Sequence, residues 1–456
     1  MRHLLQTAAV VFALTLSSPA AFAAPKPKPA PRPQVGDVLI SGGIAPGGNA
    51  TNSAEFYSAS KKKFLATGSM SIARAGHQMQ WMPQSPERTY NQAVVLGGFT
   101  GTAAISGTSI TYTMNVLDNA EVFYPATGIF GLDQAPEGAL MSNGRAFAAS
   151  IAFPGNLSTD FLQGHVLIIG GVCNASDLES CRTANILHPD DDKITTTSNP
   201  KVPIMMETLT NLADGTALMT GGIDDFSGTI TNSAEIFNPP NEFFIMLAAP
   251  MMEARAGHTA TLLNDGTVLI AGGMVNLNGV MTAVDSAEIY NPVTLTFSPV
   301  LAPMIAPRVG HTATLLKDGR VLLAGGSNGA SDFALSSTDS GATLGLPNAS
   351  GSILSSAEIY DPKLKTFEPV GGINKKTNLP VLAMKAARFD HTATLLANGA
   401  VLLTGGFGPG ITGPTQELNS AELFIPNKNK TTLGRFADAG TMISGRALHA
   451  ATLVEK

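Results

Sequence analysis

Five histidines share one recurring setting, three residues after an arginine: Arg74 with His77, Arg255 with His258, Arg308 with His311, Arg388 with His391 and Arg446 with His449. Arg145 is followed at the same interval by Ala148. Imidazoles gathered by a repeat are candidate metal ligands, since neutral His is the commonest metal-binding side chain. A residue set by a repeat is more often placed by packing within its own unit, and that reading is preferred: no metal, no cofactor and no catalytic residue is assigned. The acids recur as well, at Glu55, Glu121, Glu235, Glu288, Glu358 and Glu422. Where one unit has Asn185 instead of Glu, the next has Ile204 instead of Arg and Glu207 instead of His. Stranding one partner of a buried ion pair costs about 3–5 kcal/mol, so joint loss suggests that each Glu bridges to the Arg that follows it, as a clasp between units. The third chemical feature is Cys173 and Cys181, the only cysteines, in one short polar stretch. In an oxidising compartment a disulfide is the leading reading, against two free thiols or metal ligation. Closing so short a loop contributes at most about 3 kcal/mol, so its use is to hold that loop rigid.

The elements that must position these residues come from repetition. "RAGHTATLLNDGTVLIAGG" from Arg255 and "RVGHTATLLKDGRVLLAGG" from Arg308 are near copies fifty-three positions apart. The diglycine closing each copy recurs seven times, at Gly42-Gly43, Gly97-Gly98, Gly170-Gly171, Gly221-Gly222, Gly272-Gly273, Gly325-Gly326 and Gly405-Gly406. After it come a variable polar stretch, a run such as "SAEIY", and then a bulky apolar residue such as Phe297 or Phe367. Each unit thus offers four short apolar runs separated by "NDG", "KDG" or "ANG" turns and by "NPVT" or "DPKL". Asx-Gly pairs between apolar runs signal tight hairpins, and four antiparallel strands repeated at a period near fifty read as a propeller blade. The first unit starts at its second strand, "DVLISGG", and the chain finishes on "RALHAATLVEK", a first strand without a successor. The two are expected to complete one blade, which removes an open sheet edge. The expected fold is all-β, a seven-bladed propeller over residues 37–456 closed by its last strand.

The R-x-G-H strand, the diglycine and the A-E-[IV]-Y run resemble kelch repeats, particularly those of the galactose oxidase central domain, over about residues 37 to 456. The resemblance implies four-stranded blades, and a function that ranges from binding platform to scaffold to occasional enzyme. Galactose oxidase relatives hold copper with His and Tyr, one Tyr being joined to a Cys. Here Tyr57, Tyr290 and Tyr360 are repeat residues, both cysteines share one loop, and no copper-contributing domain is expected after the closing strand, so no copper ligand is carried over. No nucleophile elbow, zincin motif or phosphate-binding loop occurs, and the diglycines follow strands as fold glycines.

Charged residues make up only 14% of the 456, and the net charge is −6. The first thirty-six residues hold four basic side chains, so the remainder is more acidic still, which argues against a nucleic-acid partner. Residues 1–23 have a basic start, an apolar core and Ala21-Phe22-Ala23, the pattern of a secretory signal peptide of bacterial type. Residues 24–36 are Pro-rich and read as an extended linker. No other segment suits a membrane span. The expectation is a secreted or periplasmic, monomeric propeller.

Strand direction places the short, regular turns on one face and every long insertion on the other: the stretches from Phe99, Ser327, Gly371 and Phe407. Long loops on a rigid scaffold commonly carry function. The expected function is therefore non-catalytic recognition or scaffolding, with a protein or glycan held by that face. The alternative is an extracellular enzyme, oxidase-like or carbohydrate-active, with a site in the axial funnel.

Overall fold

The computed structural model describes residues 31–82, 91–106, 109–132, 140–153, 164–173, 182–188, 193–202, 204–224, 228–331, 335–338, 341–344, 353–371, 373–374, 379–380, 383–409, 415–427 and 433–455. The signal-peptide expectation, most of the Pro-rich linker and Cys181 lie outside them, and with Cys181 the proposed disulfide. The fold is all-β and propeller-like. Among the described residues, seven four-stranded antiparallel sheets share one strand order, each strand pairing with the next outward. Sheet II, for example, runs Gln78–Met82, Gln92–Leu96, Ala120–Tyr124 and Ile129–Leu132. Sheets III to VII begin at Ala149–Ala152, Thr208–Asn211, Thr259–Leu262, Thr312–Leu315 and Thr392–Leu395. Sheet I takes its first strand from the end of the chain: Ala450–Leu453 pairs with Val38–Ser41, matching Val38 with Leu453 and Ser41 with Ala450. The first strands of successive sheets touch one another from I through VII, and that of VII touches that of I.

The second strands, Val268–Ala271 and its counterparts, are buried along their whole length, because each lies between two strands and faces a neighbouring sheet on either side. Their side chains interleave between sheets. Leu269 and Ala271 of sheet V, for instance, share one apolar cluster with Val321, Leu323, Tyr360 and Phe367 of sheet VI. In six of the seven sheets an aromatic of the fourth strand meets one of the third, as in Tyr290 with Phe297 and Tyr360 with Phe367, ring centroids 4.9 Å apart in both, and in sheet III Ile194 lies opposite Leu187. Such tilted aromatic pairs add about 0.5–1.5 kcal/mol beyond their buried area.

All fourteen residues of the diglycines have positive φ, between 58° and 105°. Space is as restrictive as conformation: a Cβ on Gly325 would lie 2.4 Å from the Arg388 carbonyl oxygen and 2.8 Å from the His391 ring. The diglycine is thus the point where the next sheet's Arg-x-x-His segment comes closest.

The single tryptophan reports on the junction of the chain's two ends. Trp81 is buried in a cluster with Leu39 and Val454. Ending the chain at His449 removes the partner of Val38–Ser41 and exposes an apolar edge. We expect a clear red shift of Trp81 fluorescence together with aggregation; a soluble truncated protein with unchanged emission would show that the last strand is dispensable.

Candidate functional site

The repeated charged residues prove to be committed to joining sheets. Arg74 is anchored on sheet I through its backbone, its N–H donating to Thr51 O (3.1 Å) and its carbonyl accepting from Gly43 N (2.8 Å). Its side chain enters sheet II, where it donates to Gly97 O (2.8 Å), Asn119 Oδ1 (2.9 Å) and Glu121 Oε1 (2.7 Å). The same ion pair forms between Arg255 and Glu288 (3.1 Å), Arg308 and Glu358, Arg388 and Glu422 (3.1 Å), and Arg446 and Glu55 (2.8 Å), every guanidinium being buried. The Glu also accepts from amides of the linker that joins the preceding sheet to its own: Glu121 from Ser71 and Ile72 (2.6 and 3.1 Å), Glu358 from Ile305 and Ala306 (2.6 and 3.2 Å). Burial lowers the Arg74, Arg388 and Arg446 pKa values, and the paired carboxylates partly restore them.

This geometry corrects the partner assignment read from the sequence. Each paired Glu meets the Arg whose side chain enters its own sheet from the preceding sheet, Glu55 meeting Arg446, and not the Arg that follows it in the chain. The clasp between sheets is made by one residue, with backbone on one sheet and guanidinium in the next. The two departures are consequently separate events. In sheet III Arg145 remains and meets neutral acceptors, Asn185 Oδ1 (2.8 Å), Thr183 Oγ1 (2.9 Å) and Thr183 O (3.0 Å). Burial brings its pKa down to about 10. In sheet IV Glu235 remains and is held by the amides of Lys201 and Val202 at 2.9–3.1 Å. Burial pushes its pKa up.

The histidines also bond across pairs of sheets, through one ring nitrogen each, the buried Nδ1 of all five having no partner. The Nε2 of each bonds a hydroxyl of the preceding sheet: His77 with Ser41 (3.0 Å), His258 with Thr208 and Thr220 (both 3.1 Å), His311 with Thr259 (3.1 Å), His391 with Thr312 (3.1 Å) and His449 with Thr392 and Thr404 (both 3.0 Å). Burial drives His77 and His258 down to about 3 and the other three well below the usual range, so all five stay neutral. Among the described residues no three His, Cys, Asp or Glu side chains lie together as metal ligands would.

Glu207 breaks this pattern. It occupies the His register of sheet IV, but the preceding sheet has Ala149 and Ile169 where each sheet that precedes a His offers a hydroxyl. Both carboxyl oxygens are buried and none of the groups around them bonds with good geometry, the nearest donors being the amides of Glu207 and Ala149. Desolvation raises its pKa to about 8, although the amides of Glu207 and Ala149 and the charge of Arg145 pull the other way.

A second feature carried only a faint sequence signal, the glycine before His in three repeats. The residues preceding the His register, Gly76, Phe147, Met206, Gly257, Gly310, Asp390 and Leu448, all have φ between 50° and 63°. Five of the seven junctions around the centre are hydrogen-bonded: Gly76 N donates to Leu448 O (3.0 Å), Phe147 N to Gly76 O (2.8 Å), Gly257 N to Met206 O (2.9 Å), Asp390 N to Gly310 O (2.9 Å) and Leu448 N to Asp390 O (3.3 Å). Left-handed backbone is uncommon for Phe, Met and Leu, and here the ring of bonds imposes it. Gly310 makes room for its neighbour, since a Cβ there would lie 2.6 Å from Asp390 Oδ1.

The insertions lie on the side of the sheets where these ring residues enter. Phe99–Ser106 and Ser109–Val116 form a hairpin, not an open loop, and its Asn49↔Thr102 pairing joins it to the small hairpin of Ile44–Ala45 and Asn49–Ala50. Ile110, Tyr112 and Met114 are buried in an apolar layer to which the ring's neighbours Ala75, Ala146, Ala256, Val309, Phe389 and Ala447 all contribute. Gly341–Leu344 runs beside Ser109–Val116. The opposite, short-turn face has a groove of about 310 Å³ between Asn264, Asp265, Asp318, Arg320, Asp361 and Lys363. Its acids mostly brace their own turns, Asp318 holding Arg320 at 2.7 Å and Asp265 Oδ1 accepting from Thr267.

No protein-family model matches the chain, and no curated protein matches it. Among the described residues, no helix is long and apolar enough to cross a membrane.

Proposed function

We propose that the chain is an exported seven-bladed propeller of kelch type, closed by its last strand, that recognises a protein or a glycan through the insertions gathered on one face. The observation that carries this reading is the division of labour between residues. The recurring Arg, Glu and His are spent on bonds between sheets, so the side chains free to differ from unit to unit are those of the inserted hairpins. A scaffold of paired, buried second strands holds these insertions on one side, the arrangement a recognition surface requires. A disulfide between Cys173 and Cys181 would stiffen one further loop of the same face.

The competing reading, an enzyme with an axial site, draws on the unpartnered Asp390 and Tyr112 at the centre of that face. One comparison separates the two. Glycan arrays and cross-linking in the native compartment are run with the wild type and with a variant whose residues 332–352 are replaced by a Gly-Ser linker, alongside metal analysis of chelator-free protein. Saturable binding lost in the variant supports recognition. Near-stoichiometric redox metal, or turnover of an offered sugar, overturns it.

A further inference from the structure

The centre of the insertion face holds two polar groups that the fold leaves without partners. Asp390 Oδ2 is enclosed with no hydrogen bond, and the Tyr112 hydroxyl, on a fully buried side chain, has none either. They belong to opposite parts of one closure. Asp390 is a member of the central ring, whereas Tyr112 belongs to the hairpin and packs on the ring residue Phe147 (centroids 5.9 Å) and on Phe99 (5.9 Å). Tyr112 also feels the charges of Asp390 and Glu417, both from the seventh sheet and its insertion, while its ring rests on a residue entering the third. The hairpin therefore lies across the ring.

We propose that the hairpin Phe99–Val116 is a lid over the centre of this face, latched while the Asp390 carboxyl is neutral and released when that carboxyl becomes charged.

Asp390 is half-buried with its Oδ2 enclosed, and the groups around it supply no counter-charge. The hairpin brings Tyr112, a phenol kept neutral by burial, and the strand Thr415–Glu417 brings Glu417, an acid that acts on Tyr112 together with Asp390; neither supplies a positive charge. Its chain neighbour His391 is neutral and bonded to Thr312, and Arg388 is held by Glu422. Burial alone raises the Asp390 pKa to about 7. A carboxylate without a counter-charge in apolar surroundings draws in water or forces the structure open. The hairpin is what can yield, because beyond its backbone bonds at Phe99 (to Ala75) and Ala103 (to Gly48) its Ile110, Tyr112 and Met114 meet the ring through apolar contacts alone, whereas five of the seven ring junctions are hydrogen-bonded. Lifting it uncovers Phe147, Met206 and Leu448 around the carboxylate, an apolar floor with one negative charge that suits a cationic or amphipathic ligand. The lid lies on the face proposed above for recognition, but its motion is read on the hairpin itself, so failure to find a ligand leaves the inference standing.

The experiment is hydrogen–deuterium exchange of residues 99–116 in the full chain, corrected for intrinsic exchange, from pH 4.5 to 8.5. In the wild type the opening constant should rise about tenfold per pH unit up to near pH 7 and then level off. Asp390→Asn should abolish the rise. Asp390→Gly serves as a second variant, since glycine at this ring position is what Gly257 and Gly310 already supply at the same positive φ. Exchange independent of pH in the wild type, or an equal rise in both variants, would overturn the proposal. So would a rise abolished by Glu207→Gln and kept in Asp390→Gly, which would assign the effect to the other buried acid.

Discussion

Replacing Glu207 by Gln is expected to leave stability near pH 4.5 almost unchanged and to raise it by about 4 kcal/mol at pH 8 and above. The carboxyl has an ordinary value of 4.5 when the chain is unfolded and about 8 when buried. Below 4.5 it is protonated in both states and contributes no pH dependence. Between the two values the unfolded chain releases the proton and the folded chain keeps it, so the native state loses about 1.4 kcal/mol per pH unit; above 8 the loss is complete. Gln has the same shape and no charge to release, so the variant should lose that part of the slope. Asp390 contributes a decline of its own that ends near pH 7, but it is common to both proteins and cancels from the difference between them. Urea-unfolding midpoints measured at pH 4.5, 7 and 8.5 test this. Equal pH slopes in variant and wild type would mean that Glu207 is ionised in the native protein, most simply through water bridging to Arg145.

The regular part of the fold was legible because each element is written several times. Single runs such as "TVLIAGG" do not separate a strand from a short helix, but the diglycine, the Asx-Gly turn and the Ala-Glu run recur in the same order, and their spacing matches the sheets formed by Thr259–Leu262, Val268–Ala271, Ala287–Asn291 and Thr296–Pro299. Repetition is also what hid the ion-pair partners. When Arg and Glu alternate along a chain, pairing forward and pairing backward fit the same recurrence, and the partner nearer in the chain is the wrong one. Only the path of the backbone, which carries Arg74 from Gly43 into the strands around Glu121, decides between them. Asp390 was not legible at all, since its burial depends on a hairpin 280 residues earlier whose "SITYTM" strand reads as an exposed loop until Tyr112 is seen to sit against Phe147. The anomaly at Asn185 and Glu207 did stand out in the sequence, but its meaning required knowing that the hydroxyl partner comes from the preceding sheet, where Ala149 has none.

Arg308→Met is expected to cost about 3–5 kcal/mol, more than Glu358→Asn. The methionine fills much of the same volume but leaves Glu358 buried without its counter-ion, and removes the donor to Gly325 O (2.7 Å). Glu358 would keep only the amides of Ile305 and Ala306 (2.6 and 3.2 Å), the state in which Glu235 already exists and in which burial pushes its pKa up. The stability of Arg308→Met should therefore fall further as pH rises from about 4.5, the range in which an unfolded Glu ionises and a stranded buried one resists doing so. Glu358→Asn instead copies the sheet III arrangement, where Asn185 Oδ1 accepts from Arg145 at 2.8 Å and a permanently charged guanidinium is dispersed over neutral acceptors. Its cost should be smaller and without the added pH dependence. Thermal or urea unfolding of the two variants at pH 5 and 8 tests the ordering. A smaller loss for Arg308→Met than for Glu358→Asn would mean that the linker's amides, and not the guanidinium, hold the carboxylate in place, and that the clasp between sheets is chiefly the backbone bond from Gly326 N to Arg388 O and its counterparts.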